Sequence, residues 1–190
     1  MLAFAEKPKE YKNEKAIDLG SERMLKVCIY AAAIAAAALL ASIGNLHVPI
    51  TVFFDVDGAL WLLLRFVIVF ACIALYYLLH ELIHSYISKK LSGTKTEIIR
   101  EKIYAYSASN SYFGLKAYLI YSFAPIAIIG VILLLLTLIL PDKIFWQVYI
   151  IQIINLAGAA GDVYAAFKLL REKQDIVIKD NGKTVSYWTK

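Results

Sequence analysis

The 190-residue chain is short of nearly everything a soluble domain of its size carries. Charged residues make up only 18% of it, against 61% that are apolar or aromatic, and the mean hydropathy is +0.64. That balance excludes an ordinary water-soluble fold. There are only two cysteines, Cys28 and Cys72, each inside an apolar run with no motif around it, which excludes a disulfide framework and a cysteine metal site. The net charge is +5, yet no basic stripe with interleaved aromatics accompanies it, so nucleic acid is not an expected partner and anionic lipid headgroups are. No small-residue cleavage site follows the first apolar run, which therefore reads as an uncleaved anchor. No internal repeat or low-complexity linker divides residues 1–190, so a single integral membrane domain is expected.

What charge there is lies in blocks, at residues 1–26, 89–116 and from Lys168 onward. Between them stand four apolar segments long enough for a bilayer, which takes about 20 helical residues: 24–43, 59–91, 118–140 and 144–170. The first is rich in alanine, which suits close helix packing. The sequence thus predicts an all-α membrane protein of four transmembrane helices, with residues 24–170 as its core. The loop 44–58 carries Asp55 and Asp57 but no lysine or arginine, whereas segment 1–23, loop 89–116 and tail 171–190 are rich in both. The positive-inside rule then puts both termini and the loop 89–116 in the cytoplasm of a multi-pass plasma membrane protein. Two cytoplasmic stretches carry strand signals: 102–109 alternates with a period of two, and 176–188 places Asp180-Asn181-Gly182 between β-branched and aromatic runs, as a small β-hairpin would. Arg65, near the outer end of the second helix, is expected to snorkel to the headgroups.

Chemistry concentrates in His80-Glu81-Leu82-Ile83-His84, at the cytoplasmic end of the second predicted helix. Residues four apart on a helix are offset by about 40°, and Glu81 follows His80 by about 100°, so two imidazoles and a carboxylate share one arc. With three histidines in the chain, the H-E-x-x-H pattern arises by chance in roughly two such chains in a thousand. The plain alternative is a pair of interfacial histidines that snorkel or donate hydrogen bonds.

A catalytic zinc takes three protein ligands and leaves one position open. Asp162, the one acid inside the fourth apolar segment, is the candidate third ligand, because a carboxylate there is costly unless paired or bound to a cation. Counted from the outer ends of their helices, His80 and Asp162 lie at similar depths, about 31 and 27 Å. His47 falls on the opposite side of the membrane. Asn155 shares a face with Asp162, and two roles are open to it: steadying a tetrahedral intermediate, or bonding a neighbouring helix. The small run 157–161 suits close helix approach. Pro125, in the third segment beside Ser122, frees a backbone carbonyl.

These motifs, His80-Glu81-x-x-His84, Pro125 and Asn155-Leu-Ala-Gly-Ala-Ala-Gly-Asp162, resemble a family of bacterial membrane zincin peptidases catalogued as a domain of unknown function. More distantly the arrangement is similar to the site-two class of intramembrane metalloproteases, from which it departs in having Val163 after the aspartate and no proline before it. The resemblance implies a zinc-dependent hydrolase, with His80, His84 and Asp162 as metal ligands, Glu81 as the base, and a membrane-anchored or membrane-adjacent polypeptide as substrate. The alternative from another class is a non-enzymatic metal-binding membrane protein acting as sensor, transporter or structural element. Zinc is the expected ion, although two histidines and a carboxylate accept other divalent ions.

Overall fold

The computed structural model describes residues 3–18, 23–94, 97–100, 105–182 and 184–190. In chain order the elements are strands β1 (Ala3–Phe4) and β2 (Asn13–Asp18), helices α1 (Arg23–His47), α2 (Thr51–Phe54) and α3 (Ala59–Ser92), strands β3 (Glu97–Arg100), β4 (Ala105–Ala108) and β5 (Tyr112–Gly114), helices α4 (Leu115–Ile139), α5 (Asp142–Gly158) and α6 (Ala160–Leu170), and strands β6 (Ile176–Asp180) and β7 (Thr184–Thr189). Among the described residues, four helical stretches are long and apolar enough to cross a membrane: Lys26–His47, Ala59–Ser92, Leu115–Ile139 and Asp142–Leu170. α3 exposes Leu60, Trp61, Leu63, Leu64, Phe66, Val67, Ile68 and Phe70 in succession. A helix apolar all round suits the core of a large protein or a membrane span, and α3 has the length and composition of the latter.

The fourth stretch departs from expectation in being interrupted at Ala159, where α5 ends and α6 begins. Gly158 and Gly161 flank the break, and glycine costs a helix about 1 kcal/mol relative to alanine. The run of small residues therefore marks a discontinuity as well as a packing surface.

The described residues form two compact units. One comprises Met1–Ile29, Leu79–Pro125 and Gly161–Lys190. Its centre is a five-stranded antiparallel sheet in the order β1-β5-β6-β7-β2, beside a separate two-stranded ladder of β3 and β4. The expected hairpin is present, with Asp180 opposite Val185, and it belongs to a larger sheet that recruits the N-terminal segment. The expected strand 102–109 is realised as β4, while residues 102–104 lie outside the described ones. Ile17, Phe113, Ile176, Ile178, Val185 and Tyr187 of the sheet pack against Ala117, Tyr118, Tyr121, Ala165 and Leu169 of the helices. On the other sheet face Val177 and Trp188 meet Tyr11, with Phe4 and Tyr112 around them, so alternation along β6 and β7 supplies two small cores. At the rim the Tyr187 hydroxyl donates to Glu172 at 2.6 Å. That bond, with Lys15 nearby, holds Glu172 below the usual carboxylate range. Burial and the same carboxylate push Tyr187 up to about 12.

The C-terminal end of α3, just past the histidine motif, is pinned by hydroxyls. Gly93 closes the helix at φ +75°, with its N–H on the Lys89 carbonyl, the usual left-handed stop. Ser88 pairs with Ser109 at 3.2 Å, and Ser111 donates to Ser92 at 2.7 Å. The Ser109 N–H in turn reaches the Asp180 carbonyl at 2.9 Å. The motif helix and the β6–β7 hairpin are thereby tied to one buried polar seam.

The second unit comprises Tyr30–Leu78 and Ile126–Ala160. Val48, Phe53, Val69, Phe145 and Trp146 form its core, and the Trp146 indole donates to the carbonyl of Val48 at 3.0 Å. Arg65 lies in this unit, near the start of α3. Its guanidinium donates to the carbonyls of Val52 and Phe53 at 2.9 and 2.7 Å, satisfying acceptors that the short helix α2 leaves unpaired. Gly44 sits against the Tyr149 ring, where an added Cβ would stand 2.3 Å from Cε1. Gly44→Ala is therefore expected to cost about 1–3 kcal/mol by overpacking and to lower the thermal midpoint in detergent, with Tyr149→Leu in the same chain recovering part of the loss.

Candidate metal centre

His80 and His84 stand one turn apart on α3, and Asp162 lies in the first turn of α6. One ligand atom from each falls within 4.8 Å of the other two. The His80 and His84 Nε2 atoms are 3.2 Å apart, and His80 Nε2 is 3.8 Å from Asp162 Oδ2. Tetrahedral zinc with bonds of about 2.0–2.2 Å separates its ligand atoms by roughly 3.3 Å, so the spacing fits a divalent ion with little adjustment. The fold thus brings together the three residues that depth along the helices had paired.

The lone pairs are aimed by the backbone. His84 Nδ1 lies 3.1 Å from the Tyr121 carbonyl. A carbonyl only accepts, so Nδ1 carries the proton, and Nε2 is left as a bare lone pair facing His80. The Tyr121 carbonyl is available because the residue four positions on is Pro125, inside α4, which has no N–H to return the helical bond. The proline in the sequence thus acts on the site through a ligand's tautomer.

His80, Glu81, His84 and Asp162 line a pocket of about 90 Å³ together with Tyr118, Tyr121, Ala165, Asp180, Gly182 and Val185. Glu81, the expected base, is accordingly beside the three ligand candidates. Tyr118 and Asp180 were not foreseen as site residues. The Tyr118 hydroxyl donates to Asp180 Oδ2 at 3.3 Å, and the Gly182 N–H donates to Asp180 Oδ1 at 2.7 Å. Gly182 makes that turn at φ +81°. Burial drives the Asp180 carboxyl up to about 7, against the opposing pull of the Gly182 bond.

Asn155 is not among the pocket residues and belongs to the second unit. It is fully buried, and its amide donates to the Ile126 carbonyl at 3.2 Å. An added Cβ on Gly130 would come within 3.1 Å of that amide, so the helices approach closely there. Of its two open roles, the helix-bonding one is visible. Ser122 is also fully buried outside the pocket.

A helix-borne H-E-x-x-H pattern with a carboxylate from another helix is the donor set of a zincin-type centre. The chain belongs to the family described as "Putative zincin peptidase", whose model matches residues 73–177, more than half its length. No curated protein and no solved structure matches the chain.

Proposed function

We propose that the protein is a zinc-dependent, membrane-embedded metalloprotease that hydrolyses a peptide bond in a membrane-anchored or membrane-adjacent polypeptide near the cytoplasmic face. The observation that carries this reading is the cluster of His80, His84 and Asp162 ligand atoms with Glu81 in the same pocket, in a chain of the zincin peptidase family. His80, His84 and Asp162 would hold the ion, whose contribution when bound is Lewis acidity that makes a water acidic near neutral pH and polarises a carbonyl. Glu81 takes the proton of the attacking water and passes it to the departing amine. The Tyr121 carbonyl keeps the His84 proton on Nδ1 throughout. The four candidate spans and the lysine- and arginine-rich flanks support a bacterial plasma membrane location with both termini inside.

A second reading is metal binding without catalysis, which the same three clustered ligand atoms support. Elemental analysis of the detergent-purified protein tests the shared premise. The native chain is expected to hold about one zinc, and His80→Ala and Asp162→Ala to lose it, as removal of one of three protein ligands implies. A native chain without metal after zinc supplementation, still folded by circular dichroism, would sink both readings.

A further inference from the structure

Resting on the peptidase reading, the geometry points to Tyr118 as the hydrogen-bond donor to the oxyanion that forms when the scissile carbonyl is attacked, with Asp180 as its positioning residue. As water adds to the carbonyl carbon and its proton passes to Glu81, the C=O π pair moves onto oxygen, and a preorganised donor at that oxygen lowers the barrier. The pocket is rich in acceptors: Glu81, Asp162 and Asp180 supply three carboxylates. Its donors are few. The Gly182 N–H is committed to Asp180 Oδ1 at 2.7 Å, and the Nδ1 proton of His84 is committed to the Tyr121 carbonyl. The Tyr118 hydroxyl is held more loosely than either, at 3.3 Å from Asp180 Oδ2, longer than the 2.5–3.0 Å usual for an O–H···O bond.

Two other tyrosine–carboxylate pairs in the same unit give the comparison. Tyr11 donates to Asp175 at 2.8 Å and Tyr187 to Glu172 at 2.6 Å. Both are short, both lie away from the pocket, and both involve rim carboxylates that join the N-terminal segment or the last helix to the sheet. Tyr118–Asp180 differs on each count. Its tyrosine is fully buried on the first turn of α4. Its carboxylate projects from β6 on the sheet face otherwise made of Ile176, Ile178 and Val185, where an acid contributes nothing to packing and costs desolvation. This buried acid, in the same pocket as the metal-ligand cluster, accepts the Gly182 N–H on Oδ1 and the Tyr118 hydroxyl on Oδ2, and the second bond orients that hydroxyl.

The test uses the full-length protein in detergent with Co²⁺ as the metal, because its visible spectrum reports the ligand set without turnover. Two probes are titrated: a tripeptide phosphonate, whose tetrahedral anion presents an oxygen beyond the metal, and acetohydroxamate, a planar chelator. Tyr118→Phe is expected to bind cobalt as the native chain does, to weaken the phosphonate tenfold or more, and to change acetohydroxamate less than twofold. Asp180→Leu should reproduce the phosphonate loss. Asp180→Asn, which still offers an oxygen to the hydroxyl, should restore affinity to within about threefold of native. Equal losses for both probes, no loss for either, or a loss confined to Tyr121→Phe would overturn the assignment. So would a native cobalt protein that takes up no phosphonate. A native chain that binds no cobalt would instead overturn the metal reading itself, and this inference with it.

Discussion

Glu81→Gln is expected to lower peptide hydrolysis by the zinc-loaded protein about a thousandfold or more, measured on a library of quenched fluorescent peptides, while the zinc content stays at the native level. The substitution keeps the shape of the side chain and its oxygen but removes the basic site. Positioned general acid–base groups contribute roughly 10²–10⁴ in rate, and Glu81 is asked to act twice, on the water and on the amine. Because Glu81 is not among the three clustered ligand atoms, metal and activity should separate in this variant. Loss of both together would make Glu81 a structural or ligating residue. Retention of both would remove the proposed mechanism.

Pro125→Ala is expected to weaken zinc binding about tenfold, read by competition with a chelator of known affinity, with helix content unchanged. Alanine restores an N–H that points at the Tyr121 carbonyl, the acceptor now bonded by His84 Nδ1 at 3.1 Å. A carbonyl has two lone pairs, so the two donors compete without excluding one another. Loss of an outer partner of a ligating histidine typically costs 10–100-fold in metal affinity, and partial competition places this variant at the low end. Native zinc affinity in the Pro125→Ala chain would show that the histidine does not need the freed carbonyl.

The parts of this molecule that were legible in sequence are those governed by short-range rules. Apolar length gave the four candidate spans to within a few residues, and helical spacing put His80 and His84 on one face. Rise per residue brought Asp162 to their level from more than 70 positions away. Asp180-Asn181-Gly182 gave the hairpin because its turn chemistry is local. The five-stranded sheet was not legible, since β2 is held by pairing with β7 from the far end of the chain, and its own sequence, Asn13–Asp18, is polar and mostly exposed. Asp180 escaped notice for the same reason: in the sequence it is a turn residue, and only the sheet register turns it toward Tyr118. Pro125 could have led to Tyr121 and His84, because a proline always releases the carbonyl four residues earlier. What the sequence lacked was the identity of the group that takes that carbonyl up.

The sheet also fixes an order of events. β2 lies within the first eighteen residues, β5 follows more than ninety residues later, and β6 and β7 come last. A chain emerging from the ribosome therefore carries β2 with no neighbour on either side, and its hydrogen bonds to β7 wait until residues 184–189 have been made. Closing so long a loop is slow, and it comes after all four candidate spans have been synthesised. Gly182, Val185 and Asp180, which complete the wall of the metal pocket, arrive with that same final piece. The two histidines of the motif are thus made well before the last residues of the pocket wall, and the pocket is complete only once every candidate span exists.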